Sequence, residues 1–128
     1  MTGYVSNIEE LTLKNSYFRQ VLFTAPHSQL VLMCLRPGEE IGAEVHDNVD
    51  QFFRIEQGEG KIVFGENEEY PIKNASAIVV PAGTKHNIIN VSPTAELKLY
   101  TIYSPANHPD GTVHQTKADA LRAEETKA

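Results

Sequence analysis

Glu44 and His46 stand one residue apart in a stretch of extended-type sequence. Side chains at i and i+2 of a strand share a face, so this spacing sets a carboxylate beside an imidazole, both able to reach one metal ion. A polar turn from Asp47 to Asp50 follows, and Gln51 opens the next apolar run. If the two runs pair as a hairpin, Gln51 lies opposite Glu44 and His46. A second imidazole, His86, begins a run entered through the tight turn Pro81-Ala82-Gly83-Thr84-Lys85. Two nitrogens and two oxygens without a thiolate suit Mn2+ or Fe2+ better than Cu+ or a closed structural zinc site. Mn2+ is the first expectation, and Ni2+, Co2+ and catalytic Zn2+ can displace it because they stand higher in the Irving–Williams order.

These four residues need a rigid frame, and the sequence supplies strand grammar for one. Between Tyr17 and Tyr103 the apolar residues fall in short runs rich in Val, Ile, Phe and Tyr, broken by Pro37-Gly38, Gln57-Gly58, Gly65-Glu66-Asn67, Pro81-Ala82-Gly83 and Ser92-Pro93. Turn signals at roughly 8 to 12 residue spacing indicate an all-β sandwich or closed barrel. Strands are expected near residues 18–23, 29–35, 43–46, 51–56, 60–64, 70–73, 77–80, 86–90 and 96–103. Helical pattern is confined to the ends, at Ile8 to Leu13 and after Thr116, which can act as an N-cap for Lys117 to Arg122. One domain is expected over 1–128, with a barrel at about 17–104 and a tail carrying a short helix at about 105–128. The last residues, Glu124 to Ala128, read as a frayed polar end.

The motifs resemble those of the cupin superfamily over roughly residues 38 to 90. The first runs Gly38, five residues, Glu44, Val45, His46, four residues, Gln51, six residues, Gly58. The second runs Ala75, five residues, Pro81, Ala82, Gly83, two residues, His86, three residues, Asn90, with Ala75 where the family has glycine. The resemblance implies a double-stranded β-helix, or jelly-roll barrel, with a metal held by Glu44, His46, Gln51 and His86. Glu44 takes the place of a usual histidine and Gln51 that of a usual glutamate. One carboxylate has thus moved, and the Gln51 carbonyl still offers an oxygen lone pair. If Gln51 contacts only metal-bound water, Glu44, His46 and His86 form a two-His-one-carboxylate triad with open positions.

Around the donors, Asn90 shares a strand face with His86, and Tyr100 or Tyr103 could orient water or substrate oxygen. Phe53, Ile55 and Ile88 are expected to line an apolar pocket for a small molecule, with Arg54 and Glu56 on the opposite strand face. His27, His108 and His114 read as solvated surface histidines. The resemblance permits isomerase or lyase chemistry on a sugar, sugar acid or keto acid, with no catalytic base identifiable beyond a metal hydroxide or a tyrosine. An Fe2+ dioxygenase and a non-catalytic binding or sensing module are the alternatives.

The bulk properties narrow the partners. The 128 residues carry a net charge of −6, which repels phosphate backbones and anionic lipid surfaces, so nucleic acid is not an expected partner. No apolar run approaches the roughly 20 residues needed to span a bilayer, and no secretory leader is visible, so a cytoplasmic location is expected. The single cysteine, Cys34, lies in an apolar run and reads as a small buried hydrophobe. The apolar segment Phe18 to Phe23 falls outside both motifs; as an unprotected strand edge it predicts a homodimer.

Overall fold

Alternation of burial over the first six residues of β3 (Asp50–Gln57) shows how a strand of this fold is made. Here Gln51, Phe53 and Ile55 are buried and their immediate neighbours are more open, the period of two that a pleated strand imposes on a one-sided core. The computed structural model describes residues 2–126, with side chains described for 2–124. The other strands are β1 (Arg19–Thr24), β2 (Gln29–Leu35), β4 (Glu59–Phe64), β5 (Glu68–Lys73), β6 (Ala77–Val80), β7 (His86–Asn90), β8 (Leu97–Ser104) and β9 (Val113–His114). They form a six-stranded sheet, β6-β3-β8-β2-β1-β9, and a three-stranded sheet, β5-β4-β7. Every pairing is antiparallel. This is the all-β jelly-roll barrel expected from the sequence.

The core lies between the two sheets. Val31, Met33, Leu35, Phe53, Ile55 and Leu99 come from one side and Ile62, Ile72 and Ile88 from the other. Burying each such side chain contributes roughly 1.5–3 kcal/mol before entropy is counted. Gly58 permits the close approach at one end: it has φ +97°, and a Cβ there would sit 2.6 Å from the Glu96 carbonyl oxygen.

The segment expected as a strand at 43–46 is not a regular strand. Residues 38–46 instead run along the free edge of β7, with hydrogen bonds Gly38 to Ser92, Ile41 to Ile88, Glu44 to His86 and, from Gly83, back to the His46 carbonyl. Glu44 and His86 form an isolated bridge with both backbone bonds made, at 2.9 and 3.0 Å. Glu44 and His46 therefore pair with β7 and the turn before it, not with β3. The polar stretch 47–50 is no hairpin turn, because Asp50 already belongs to β3 and its carboxylate accepts from Ala82 N–H.

The segment after residue 104 is tied into the barrel. β9 pairs with β1 (Arg19 with His114, Gln20 with Val113), and the flanking bonds Phe18 N–H to Gln115 and Val21 N–H to Thr112 extend the cover. The edge at 18–21, the basis for expecting a homodimer, is thus capped within the chain. The N-terminal helix α1 (Ile8–Lys14) rests on the outer face of the large sheet, where the Lys98 ammonium donates to the Leu13 carbonyl at 2.6 Å. Thr116 caps the second helix, α2 (Lys117–Thr126), by accepting from Asp119 N–H while Asp119 accepts from Thr116 N–H. Of the polar end expected to fray, residues 127 and 128 lie outside the described residues. No helix among the described residues is long and apolar enough to cross a membrane.

Candidate metal centre

The backbone bridge between Glu44 and His86 delivers a carboxylate and an imidazole to one place, and His46 follows two residues on. Ligand atoms of Glu44, His46 and His86 all lie within 4.8 Å of one another. His46 Nε2 is 2.8 Å from Glu44 Oε2, yet this buried nitrogen makes no contact with the geometry of a hydrogen bond. We read the pair as two lone-pair donors converging on a common point. Two ligands at right angles around an ion, each about 2.1 Å from it, stand about 3 Å apart.

His86 is fixed from both sides. Its Nδ1 lies 3.0 Å from the Thr84 carbonyl, a pure acceptor, so the proton sits on Nδ1 and Nε2 keeps its lone pair. Burial pulls the His86 pKa below the usual value, reinforced by His46 and opposed by the Thr84 carbonyl and Glu44. The neutral, ligand-competent imidazole is favoured. For Glu44, burial acts to raise the pKa but is outweighed by the His46 contact and by the charges of His46, Arg19 and His86, leaving the carboxyl below its ordinary range. It is a carboxylate at neutral pH.

Gln51 reaches the group from the opposite sheet. Its Oε1 stands 3.1 Å from His86 Nε2, and its amide nitrogen donates to Thr101 Oγ1 at 2.9 Å on the side facing the Tyr103 hydroxyl. The carbonyl side is thereby turned toward the histidines, where it can supply a fourth donor. These groups fit a divalent ion: an orphaned nitrogen, a neutral imidazole with a free lone pair, a carboxylate and an amide oxygen converge.

The structure distributes the other expected site residues unevenly. Tyr103 is buried beside the donors, edge-on to the His46 ring at 6.0 Å between centroids. Phe53 packs edge-on against His86 at 6.2 Å, with Ile55 and Ile88 fully buried in the core. Tyr100 is on the outer face of the sheet against Phe52. Asn90 is also away from the donors: its amide donates to the carbonyls of Leu35, Arg36 and Ala95 and accepts from Ser92 N–H, so all its capacity closes the far end of the barrel. Arg54 and Glu56 do lie together off the core face, 3.1 Å apart. Cys34 is buried with its thiol pushed up to about 12 by burial and by Glu96, an inert state.

Arg19 was not singled out in the sequence, and His108 and His114 read there as solvated surface histidines. Arg19 is only 4% exposed and places Nη1 3.3 Å from His114 Nδ1. Its guanidinium also faces the Tyr103 hydroxyl and acts to lower that phenol's pKa against the effect of burial. His108 stacks edge-on against Tyr103 at 5.2 Å, with Nε2 3.2 Å from the hydroxyl. His108 and His114 are therefore half-buried parts of this region, whereas His27 is exposed as expected.

The family model for the cupin domain matches residues 31–103. The chain is a cupin. Two relatives are similar over most of it: the uncharacterized protein YrkC of Bacillus subtilis, 53% identical over 95% of this chain and 68% of its own length, and the uncharacterized protein L612 of Acanthamoeba polyphaga mimivirus, 52% identical over 86% of this chain and 70% of its own. The crystal structure of BH2720 from Bacillus halodurans superposes with a TM-score of 0.89 at 44% identity, covering 93% of both chains. In this cupin the group able to hold a metal sits where the two family motifs meet, at the bridge between Glu44 and His86.

Proposed function

We propose that this cupin is a metal-dependent enzyme, Mn2+ preferred, that acts on a small oxygenated substrate such as a sugar, sugar acid or keto acid as an isomerase or lyase. Glu44, His46 and His86 would hold the ion, with the Gln51 carbonyl as fourth donor. The observation that carries the reading is the buried His46 Nε2, which touches Glu44 at 2.8 Å without a hydrogen bond. A buried polar atom left unpaired costs roughly 1–3 kcal/mol, and a bound cation removes that cost. A divalent ion in such a site supplies Lewis acidity, polarising a carbonyl or hydroxyl oxygen.

The protein's own contribution is orientation and proton placement. Thr84 fixes the His86 tautomer, and Thr101 with Tyr103 fixes the Gln51 amide. Tyr103 is held among Gln51, Arg19 and His108, with His108 Nε2 3.2 Å from its hydroxyl. Burial drives the Tyr103 pKa well above the usual phenol range, so the hydroxyl keeps its proton and acts as a donor.

Metal analysis of untagged protein purified without added metal tests the assignment. The expected result is about one divalent ion per chain, lost in a Glu44→Ala, His46→Ala double variant. A metal-free wild type that also fails to take up added Mn2+, or a double variant that keeps its ion, would overturn it. Turnover screening with sugars, uronates and keto acids then separates catalysis from ligand binding alone, which would appear as thermal shifts without product.

A further inference from the structure

We infer that Arg19 is the anchor for a substrate carboxylate beside the metal donors, so that the ligand is a small carboxylic acid with a second oxygen donor, such as a hydroxy acid or keto acid. The inference deepens the metal reading above and rests on it for the second contact, though not for the first.

A guanidinium stays protonated in proteins, and a buried charge needs a counter-charge. Arg19 is 4% exposed, yet among the described residues it has no ion pair. Its contacts are a histidine nitrogen, a phenol hydroxyl and the face of Phe18, whose ring centroid is 5.2 Å from the guanidinium carbon. None of these carries a negative charge. Glu44 feels Arg19 only as a field that helps hold its carboxyl ionised, and that carboxylate is itself a metal donor. A divalent ion, one carboxylate and one guanidinium leave two positive charges to be met from outside.

The geometry specifies how the charge is met. Nη1 faces His114, whereas Nε is buried with no hydrogen-bond partner. An unused Nε is one of the two donors that a planar guanidinium offers to a carboxylate in its bidentate mode. Tyr103 lies between the two contacts, because Arg19 and Gln51 both act on its hydroxyl. A carboxylate on Arg19 therefore lies next to an oxygen presented to the metal donors. Pairing of β9 with β1 is what brings His114 against the guanidinium.

Two pairs of probes test this by calorimetry. Acetate and acetamide address the guanidinium without needing an ion; glycolate and glycolamide address both contacts on the Mn2+-loaded protein. Each pair differs in charge at nearly constant shape. Acetate is expected to bind metal-free protein, with acetamide at least tenfold weaker, and glycolate to bind loaded protein more tightly than acetate does. Arg19→Lys should weaken acetate and glycolate at least tenfold while leaving Mn2+ affinity within about twofold. Arg19→Met should abolish acetate binding, and circular dichroism checks that both variants are folded. Acetate binding equal to acetamide, or unchanged in Arg19→Lys, would overturn the proposal. Loss of Mn2+ binding in the wild type with Arg19-dependent acetate binding intact would instead sink the metal reading and leave this one standing.

Discussion

His86 Nε2 and Gln51 Oε1 face each other at 3.1 Å as two acceptors. His86 has its proton on Nδ1, toward Thr84, and Gln51 has its amide hydrogens toward Thr101 and Tyr103. Lone pairs opposed in this way are stable when a cation lies between them, and otherwise the amide gains by turning over to donate to the imidazole.

The Gln51→Glu and Gln51→Leu variants separate these states. A carboxylate at position 51 adds a second negative donor, so Gln51→Glu should bind Mn2+ at least about tenfold more tightly. Without metal it should be less stable than wild type, because a buried carboxylate has lost its counter-ion. Gln51→Leu should lower metal affinity by about 10 to 100-fold, the usual effect of removing a supporting donor. Titration with Mn2+ and urea unfolding in chelator measure both sides. Equal affinity in all three proteins would mean that Gln51 does not contribute.

Acid should destabilise the metal-free protein in two phases. The His86 pKa is depressed in the folded state, chiefly by burial. Its contribution is complete above the ordinary value of 6.5 and is lost as pH falls from 6.5 toward the folded value. Glu44 is also depressed, so its contribution is present above the ordinary 4.5 and disappears as pH falls below that through the folded value. One proton taken up on unfolding gives a slope of up to about 1.4 kcal/mol per pH unit. Urea midpoints at half-unit steps from pH 7.5 to 3.5 should show both phases, and His86→Gln should flatten the first while leaving the second. A wild-type midpoint flat between pH 6.5 and 5 would contradict the His86 assignment.

The histidines were legible because strand-compatible placement and motif spacing agree on His46 and His86. Glu44 followed from charge accounting, but its structural partner did not. Residues 43–46 read as a strand paired with β3, whereas the hydrogen bonds run to β7 across a turn far along the chain. Nothing local in the sequence reports such a pairing. Arg19 was hidden for a different reason. Both faces of the run Phe18 to Phe23 carry apolar residues, and the register slips between Val21 and Phe23, so alternation does not say which side faces the core. His108 and His114 lie in loop-like sequence beyond both motifs, and their burial depends on β9 folding back onto β1.

Ala75 occupies the position where the second motif usually begins with glycine, and it keeps a left-handed backbone, φ +74°. The turn is held by bonds from Ala75 N–H to the Ile55 carbonyl and from Ile55 N–H to the Ser76 carbonyl, so the chain cannot relax into a right-handed conformation without breaking them. A Cβ in that region costs roughly 1–2 kcal/mol, of which glycine would return part to unfolded-state entropy. Ala75→Gly should therefore raise stability by about 0.5–1 kcal/mol in urea titration. Metal affinity should be unchanged, since β5 and β6 contribute no donor. A destabilised Ala75→Gly would show that the strain is offset by contacts of the methyl group.

Gln29 is the residue that ties the C-terminal segment to this site. It is 1% exposed and uses its whole amide: the nitrogen donates to Thr24 Oγ1 at 2.9 Å and to the His108 carbonyl at 2.7 Å, and the oxygen accepts from Asn107 and His108 N–H, both at 3.1 Å. Leucine at this position would fill similar space but leave three backbone groups unpaired, a cost of roughly 2–4 kcal/mol. The effect should not stop at stability. His108 Nε2 lies 3.2 Å from the Tyr103 hydroxyl, on which Arg19 and Gln51 both act. Releasing residues 107 and 108 should loosen the network one member at a time. Hydrogen exchange of Gln29→Leu should show faster exchange first at 107–114 and then at the β1 amides that pair with β9. If stability falls but exchange at 107–114 is unchanged, Gln29 is a core residue only and does not hold His108 in place.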